Sequence, residues 1–343
     1  MSQINYGQAL KEALRMAMEK DKSVFVMGIG ADDHKAIFGS TEGLLKQFGS
    51  ERIFDTPLSE AAITGVAIGA ALAGMKPVHV HIRTDFIYLA LDQILNLAAK
   101  WRSMFGGHMH VPIVVRAVIG RSWGQGAQHS QSLQSLFMHV PGVKVVMPTT
   151  PYDAKGLLLS SIFDPDPVVM IEHRLLYYIT GEVPDEYYEI PFGKAFVRRE
   201  GHDLTIVANS YMVCEALKAA GFLAEQGISV EIIDPVTLVP LDEATILNSV
   251  RKTGHVLIID TSWTRCGASA EIAALIAEKA WGDLKAPIRR MGMAPVTCPV
   301  SKTLEELFYP NAKSIAQNVC EMLERKIPDV EVPLLTTKFK GPF

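Results

Sequence analysis

Asp55-Thr56-Pro57-Leu58-Ser59-Glu60-Ala61-Ala62 is the stretch on which the reading of this chain turns. Pro57 and Ser59 are helix-start signals. The run that follows, from Ile63 through Gly65, Gly69 and Gly74, is built of small and apolar residues. One carboxylate, Glu60, therefore stands at the mouth of a helix with no other charge. Two readings are open. An acid in the first turn of a helix is stabilised by the helix dipole and needs no further role. An acid entering a close-packed apolar setting resists ionisation, which suits a group that handles protons. The glycines and alanines would let this helix approach another backbone closely, as at a domain or subunit interface.

On either side of this helix, strands alternate with helices. Residues 5–20 carry apolar positions at helical spacing, and Val24-Phe25-Val26-Met27 reads as a strand ending at Gly28 and Gly30. Residues 60–74 read as a buried helix, 77–82 as a strand, 86–104 as a helix, and 111–117 and 143–147 as strands. A helix at 153–163 and a strand at 167–171 follow. Residues 180–194, rich in Glu, Pro and Tyr with no lasting period, read as a connection. A second unit has strands at 204–208, 229–233, 255–260 and 288–291. Its helices fall at 212–226, 242–250, 267–281, 304–307 and 312–324. Such alternation implies mostly parallel sheets covered on both faces. The expected architecture is α/β, two three-layer domains at 1–190 and 200–330, with a tail at 331–343 that could wrap a partner.

A length of 343 residues suits two domains. A net charge of −4 gives no electrostatic reason to bind nucleic acid or an anionic membrane. The uncharged run from Ala61 to Met75 falls short of the roughly 20 apolar residues that span a bilayer. The N-terminus has no basic stretch followed by an apolar core, so no secretion signal is read. Cys214, Cys266, Cys298 and Cys320 are scattered without metal-like spacing, and a cytoplasmic setting is expected.

Arg52-Ile53-Phe54-Asp55-Thr56-Pro57-Leu58-Ser59-Glu60 and Gly74-Met75-Lys76-Pro77 strongly resemble the β subunit of thiamine diphosphate-dependent 2-oxoacid dehydrogenases, of the pyruvate, acetoin and branched-chain type. The resemblance continues in Asp92-Gln93-Ile94-Leu95-Asn96, Met104-Phe105-Gly106-Gly107, Ala127-Gln128-His129-Ser130-Gln131-Ser132 and Tyr152-Asp153-Ala154-Lys155-Gly156-Leu157. It runs on through Ile233-Asp234-Pro235 and Pro240-Leu241-Asp242, covering nearly the whole chain in order. It implies a transketolase-like pyrimidine-binding domain followed by a transketolase C-terminal domain. In that family the matching glutamate hydrogen-bonds N1′ of the cofactor's aminopyrimidine and promotes loss of the thiazolium proton. Glu60 is assigned that role by the resemblance.

His129 lies in the glycine-rich loop Gly124-Gln125-Gly126-Ala127-Gln128-His129-Ser130. Read alone it is either a hydrogen-bonded loop histidine or a site residue, since sites are built on such loops. The resemblance makes it an active-site histidine that faces the substrate and assists acyl transfer to lipoamide, work suited to imidazole. Phe86 matches an aromatic residue against the pyrimidine ring, or is a core Phe at a helix start. Ile29 stands where many family members carry a Glu near the cofactor. His79-Val80-His81-Ile82-Arg83-Thr84-Asp85 is more basic than the usual strand, which would bring Arg83, His81 and Asp85, with Gln128, near a pocket for a more polar or anionic substrate. Trp123 would reshape the entrance. His108 and His110 are too few to make a metal site. Ile113, Ser161, Ile162, Asp164 and Asp166 match positions that ring a structural K⁺ in some members. Asp164-Pro165-Asp166-Pro167 reads equally as a plain turn.

The diphosphate half of a thiamine site uses a Gly-Asp-Gly and a later Asn to hold the metal. This chain has no Gly-Asp-Gly; Gly282-Asp283-Leu284 is nearest and lies in the wrong domain. The resemblance thus implies a shared site. A separate α subunit would hold Mg²⁺ and the diphosphate in an α2β2 heterotetramer, with a dihydrolipoyl acyltransferase as a further partner. The reaction expected is oxidative decarboxylation of a 2-oxoacid, or cleavage of an acyloin, with acyl transfer to lipoamide. The alternatives are a two-chain transketolase-like or carboligating enzyme and a non-catalytic subunit that stabilises an α chain. A nucleotide-binding module is weaker, because Gly28 and Gly30 lack the third glycine.

Overall fold

The structure, a computed structural model, describes residues 1–33, 37–120 and 124–326. Trp123 and the 331–343 tail lie outside the described residues. The N-terminal half builds a seven-stranded sheet in the order Thr237–Val239, Lys144–Val146, Val168–His173, Val114–Ile119, Lys76–His81, Val24–Gly28, Ile53–Phe54. Six of these strands are parallel, and only Thr237–Val239 runs against its neighbour. The second sheet has five strands, Arg289–Met293, Val256–Trp263, Leu204–Ala208, Val230–Asp234 and Phe196–Arg199, with the last antiparallel. Helices cover both sheets. The central strands are buried at every residue, as in Val114–Ile119 and Val168–His173. Parallel strands covered on two faces read as continuous apolar runs for this reason.

Several expectations change. Residues 86–104 are not one helix. They form a 3-10 segment Thr84–Ala90, a π-helical segment Asp92–Ala98 and a short α-helix Ala99–Met104. An apolar stripe recurring every three to five residues cannot separate these windings, since each brings such residues onto one face. The supposed connection contains a strand, Thr180–Val183, paired antiparallel with Ser2–Asn5. The rest of it is tied to the Pro151–Phe163 helix by Ser160 Oγ to Ile190 O (2.7 Å) and by the stacked rings of Tyr152 and Tyr188. Such side-chain tethers leave no period to read. The Glu60–Leu72 helix is buried on one face only, through Thr64, Ala67, Ile68 and Ala71; Ala61, Ala62, Val66 and Gly69 are exposed.

The two halves are also less separate than their sequences suggest. Thr237–Val239, from the second half, completes the edge of the first sheet. One continuous apolar core runs from Tyr6, Leu10 and Val146 through Leu158 to Leu204, Tyr211 and Ile259. Arg198 bridges the fully buried carboxylates of Asp153 and Asp234, one from each half.

Candidate active site

The carboxyl ends of the parallel strands set the site. The chain leaves Val24–Gly28 to Ile53–Phe54 on one side, then returns across it to Lys76–His81 on the other. This reversal opens a crevice between the two strand ends, the usual ligand position in open α/β sheets. Gly28 lies at that point with φ +152°, and a Cβ there would stand 2.4 Å from Val80 O. Only glycine allows the two strands to close up as they do. Gly120 ends the next strand at φ +99°, with a Cβ position 2.4 Å from the His173 ring.

The Gly28-Ile29-Gly30 turn is fixed by Asp55, whose Oδ1 accepts from Gly30 N and Thr56 N, both at 2.8 Å. The segment that leads to Glu60 is thereby anchored to the turn carrying Ile29, which is half-buried. Glu60 is the first residue of its helix. Ser59 precedes it but makes no side-chain cap, and the Glu60 side chain is half-buried. The helix rests on the Thr84–Ala90 segment, which carries Phe86.

Phe86 is 38% exposed, and its ring stands edge-on to His129 with centroids 5.3 Å apart and planes at 79°. The structure thus brings Phe86 and His129 together across 43 residues, as a half-open aromatic corner. Asp85, beside Phe86, is buried and accepts from Gln131 N at 3.1 Å. Burial pushes its carboxyl up from the ordinary carboxylate range, against the Gln131 N–H and the nearby His129, which pull it down. The loop carrying His129 is held from the other half as well. Tyr309 OH donates to Ser130 O (3.4 Å), Ser262 Oγ to Ser132 O (2.7 Å), and Gln134 Nε2 to Asp260 Oδ1 (2.6 Å). None of these tethers was anticipated, because they join residues more than a hundred positions apart.

The basic strand does not act as one unit. His81 is 5% exposed and lies against His79, ring centroids 4.3 Å apart, on the underside of the Glu60 helix. His79 Nδ1 is 3.3 Å from Thr64 Oγ1 of that helix. The strand runs through His81, so alternation carries both rings inward rather than to the rim. Burial lowers His79 to about 4 and His81 well below its usual value, so both are neutral imidazoles near pH 7. Arg83 is half-buried, with its guanidinium over the Phe38 ring and donating to Ile82 O. Arg174, after the next strand but one, donates to Gln125 of the His129 loop. Its pKa falls to about 9, through burial first and then the neighbouring Arg83. Gln128 is exposed.

Thr84 Oγ1 and Arg83 Nε, just before Phe86, and Ser130 Oγ, next to His129, are buried polar atoms with no hydrogen-bond partner among the described residues. Buried polar atoms are almost always paired, so unpaired groups on the two segments that carry Phe86 and His129 suit a polar ligand seated between them. A partly open acid, an aromatic face and these groups fit the aminopyrimidine end of thiamine diphosphate. Among the described residues, no three or more His, Cys, Asp or Glu side chains form a group that could hold a metal ion.

At the Asp164–Asp166 turn the carboxylates are already engaged. Lys144 Nζ is 2.7 Å from Asp164, and Arg102 Nη1 and His110 Nδ1 lie 2.5 and 3.2 Å from Asp166. His110 thus serves this turn. Ile113 O accepts from Val168 N, and Ser161 Oγ donates to Leu157 O. Ser161 and Ile162 lie in the last turn of the Pro151–Phe163 helix.

Comparison with known proteins agrees with the fold. Residues 2–180 match the transketolase pyrimidine-binding domain, and 193–315 the transketolase C-terminal domain. The β subunit of acetoin:2,6-dichlorophenolindophenol oxidoreductase from Cupriavidus necator is 46% identical over 90% of this chain and 94% of its own. The pyruvate dehydrogenase E1 component β subunit of Bacillus subtilis is 40% identical over 94% and 100%. A split-gene transketolase described as an inactive β4 tetramer superposes with a TM-score of 0.76 at 21% identity, over 94% of this chain and 99% of that one. At that identity the likeness speaks for the fold alone.

Proposed function

The chain belongs to the family of thiamine-dependent acetoin and 2-oxoacid dehydrogenase β subunits, and from that premise we propose that it supplies the pyrimidine-binding half of such an enzyme. The reaction is oxidative decarboxylation of a 2-oxoacid, or cleavage of an acyloin, with acyl transfer to lipoamide. The aromatic corner of Phe86 and His129 at the sheet's switch point, next to the Glu60 helix, carries this reading. The two-chain transketolase-like alternative is favoured by fold likenesses at 21% identity or less, which speak for the fold alone.

Bound thiamine diphosphate would supply the nucleophile and the electron sink that the substrate needs. Glu60 would hold a proton at the edge of the aminopyrimidine and return it. Phe86 would offer a flat apolar face to that ring, and Ile29 would line its near side. Arg83 at the rim, with exposed Gln128, would meet the substrate, whereas buried His81 would support the Glu60 helix from below. His129 would exchange protons with the substrate's oxygen and with the lipoyl thiol, a task within reach of imidazole near neutral pH.

The partner is an α subunit in an α2β2 heterotetramer, carrying the Mg²⁺ and diphosphate half. The exposed apolar side chains of Leu58 (79%), Val66 (61%) and Leu89 (59%), on and beside the Glu60 helix, support a subunit seat here. We place the pyrimidine-binding unit at 1–190 and the C-terminal unit at 200–330, and count an acyltransferase as a second partner. No helix among the described residues is long and apolar enough to cross a membrane, and a cytoplasmic setting fits the scattered cysteines, none of them in a disulfide among the described residues. A K⁺ at the 161–166 turn would rest on the closing carbonyls of Ser161 and Ile162 and the helix dipole, since Asp164 and Asp166 are already paired.

His129→Ala tests the acyl-transfer role. In the enzyme reconstituted with its α subunit, the variant is expected to retain much more turnover with a dye acceptor than with a lipoyl domain. Wild-type rates with both acceptors would remove His129 from the chemistry.

A further inference from the structure

Asp85 is a buried carboxylate that borders the Phe86–His129 corner, next to Phe86 in the chain and bonded to the His129 loop. It is 7% exposed and accepts from Gln131 N at 3.1 Å, two residues beyond His129. Its chain neighbour Phe86 forms the other wall of the corner. Tyr88, one turn on, reaches the same loop residue, its hydroxyl 3.5 Å from Gln131 Oε1. The 3-10 winding of Thr84–Ala90 brings these three side chains to the loop from a single segment. A carboxylate so buried is costly unless its charge is used or compensated.

We propose that Asp85 is a positioning residue for His129, pinning the loop through Gln131 and holding a fixed negative charge beside the imidazole. The proposal rests on the reading of His129 given above. Other charged and titratable groups face this corner. Arg83 precedes Asp85 on its own segment, Arg174 approaches from the end of Val168–His173, and Tyr309 and Glu305 reach Arg174 from the second half. Both arginines feel Asp85, so its charge is shared among them and His129. A negative charge near an imidazole favours the protonated ring. Its loss therefore disfavours the protonated ring, and the loop contact alone has no such consequence.

Asp85→Asn separates the two effects, because the amide oxygen still accepts from Gln131 N while the charge is gone. The α2β2 enzyme is assayed across pH with a lipoyl domain, and His129 is followed in parallel by its rate of acylation with diethyl pyrocarbonate, read by peptide mass spectrometry. Both midpoints are expected to fall by about half a pH unit or more in Asp85→Asn, with acyl transfer reduced about tenfold. Asp85→Glu, which keeps the charge but displaces the loop contact, is expected to hold the midpoint near wild type while lowering the rate. If Asp85→Asn fails to assemble, Asp85→Glu decides: a midpoint displaced downward contradicts the proposal. A folded Asp85→Asn with unmoved midpoints overturns it and leaves the role of His129 standing. Wild-type rates in His129→Ala overturn both.

Discussion

Glu60→Gln is expected to leave the fold unchanged and to lower turnover at least ~10³-fold in the reconstituted enzyme, toward the upper part of what proton-transfer groups contribute. The substitution keeps the side chain's size and its place at the head of the Glu60–Leu72 helix. What it removes is the ability to take up and return a proton. If Glu60 were only a helix-end acid, the change would cost the dipole interaction, about 0.3–1 kcal/mol of stability, and no activity. The two readings therefore differ in kind as well as size. Thermal unfolding and dye-acceptor turnover measured on one preparation separate them. Wild-type turnover with a slightly lowered melting point would return Glu60 to the bland role.

The largest stability effect is expected at Glu172. Arg116 and Glu172 lie on adjacent parallel strands, and both side chains are 0% exposed. The pair is bidentate, Nε to Oε1 at 2.6 Å and Nη2 to Oε2 at 2.9 Å. Tyr177 OH also donates to Glu172, and Arg116 Nη2 donates to Ser40 Oγ at 3.2 Å. A buried ion pair need not exceed an apolar pair in stability, but breaking one partner away strands the other charge. Glu172→Ala should cost about 3–5 kcal/mol for that reason. Replacing both residues, Arg116→Met with Glu172→Leu, should cost much less. Equilibrium unfolding of the single and double variants tests this. A single variant as stable as wild type would mean that the arginine finds other compensation.

How much of this could be read from the chain alone depended on the kind of contact. The central strands were legible because burial on two faces makes them uninterrupted apolar runs, as in Val114–Ile119. The edge strands Ser2–Asn5, Thr180–Val183 and Thr237–Val239 were not, since they are short and owe their pairing to distant partners. At the site, Glu60, Phe86 and His129 were reached through resemblance, and the structure sets the last two in contact. His81 was expected at the pocket, but it is the last residue of Lys76–His81 and shares the face of His79, which packs on Thr64 of the Glu60 helix. Asp85 was noticed as a charge near the pocket. Its bond to the loop beyond His129 depends on a 3-10 turn that spacing does not distinguish from an α-helix. The tethers from Tyr309, Ser262 and Asp260 depend on how the two halves meet, which no local pattern encodes.

We propose that this chain holds only half of a thiamine site. Calorimetric titration of thiamine diphosphate with Mg²⁺ tests it most directly, first on the chain alone and then on the chain assembled with its α subunit. No saturable binding is expected to the chain alone, and stoichiometric binding to the assembly, weakened by Glu60→Gln. Tight, Mg²⁺-dependent binding by the isolated chain would contradict it.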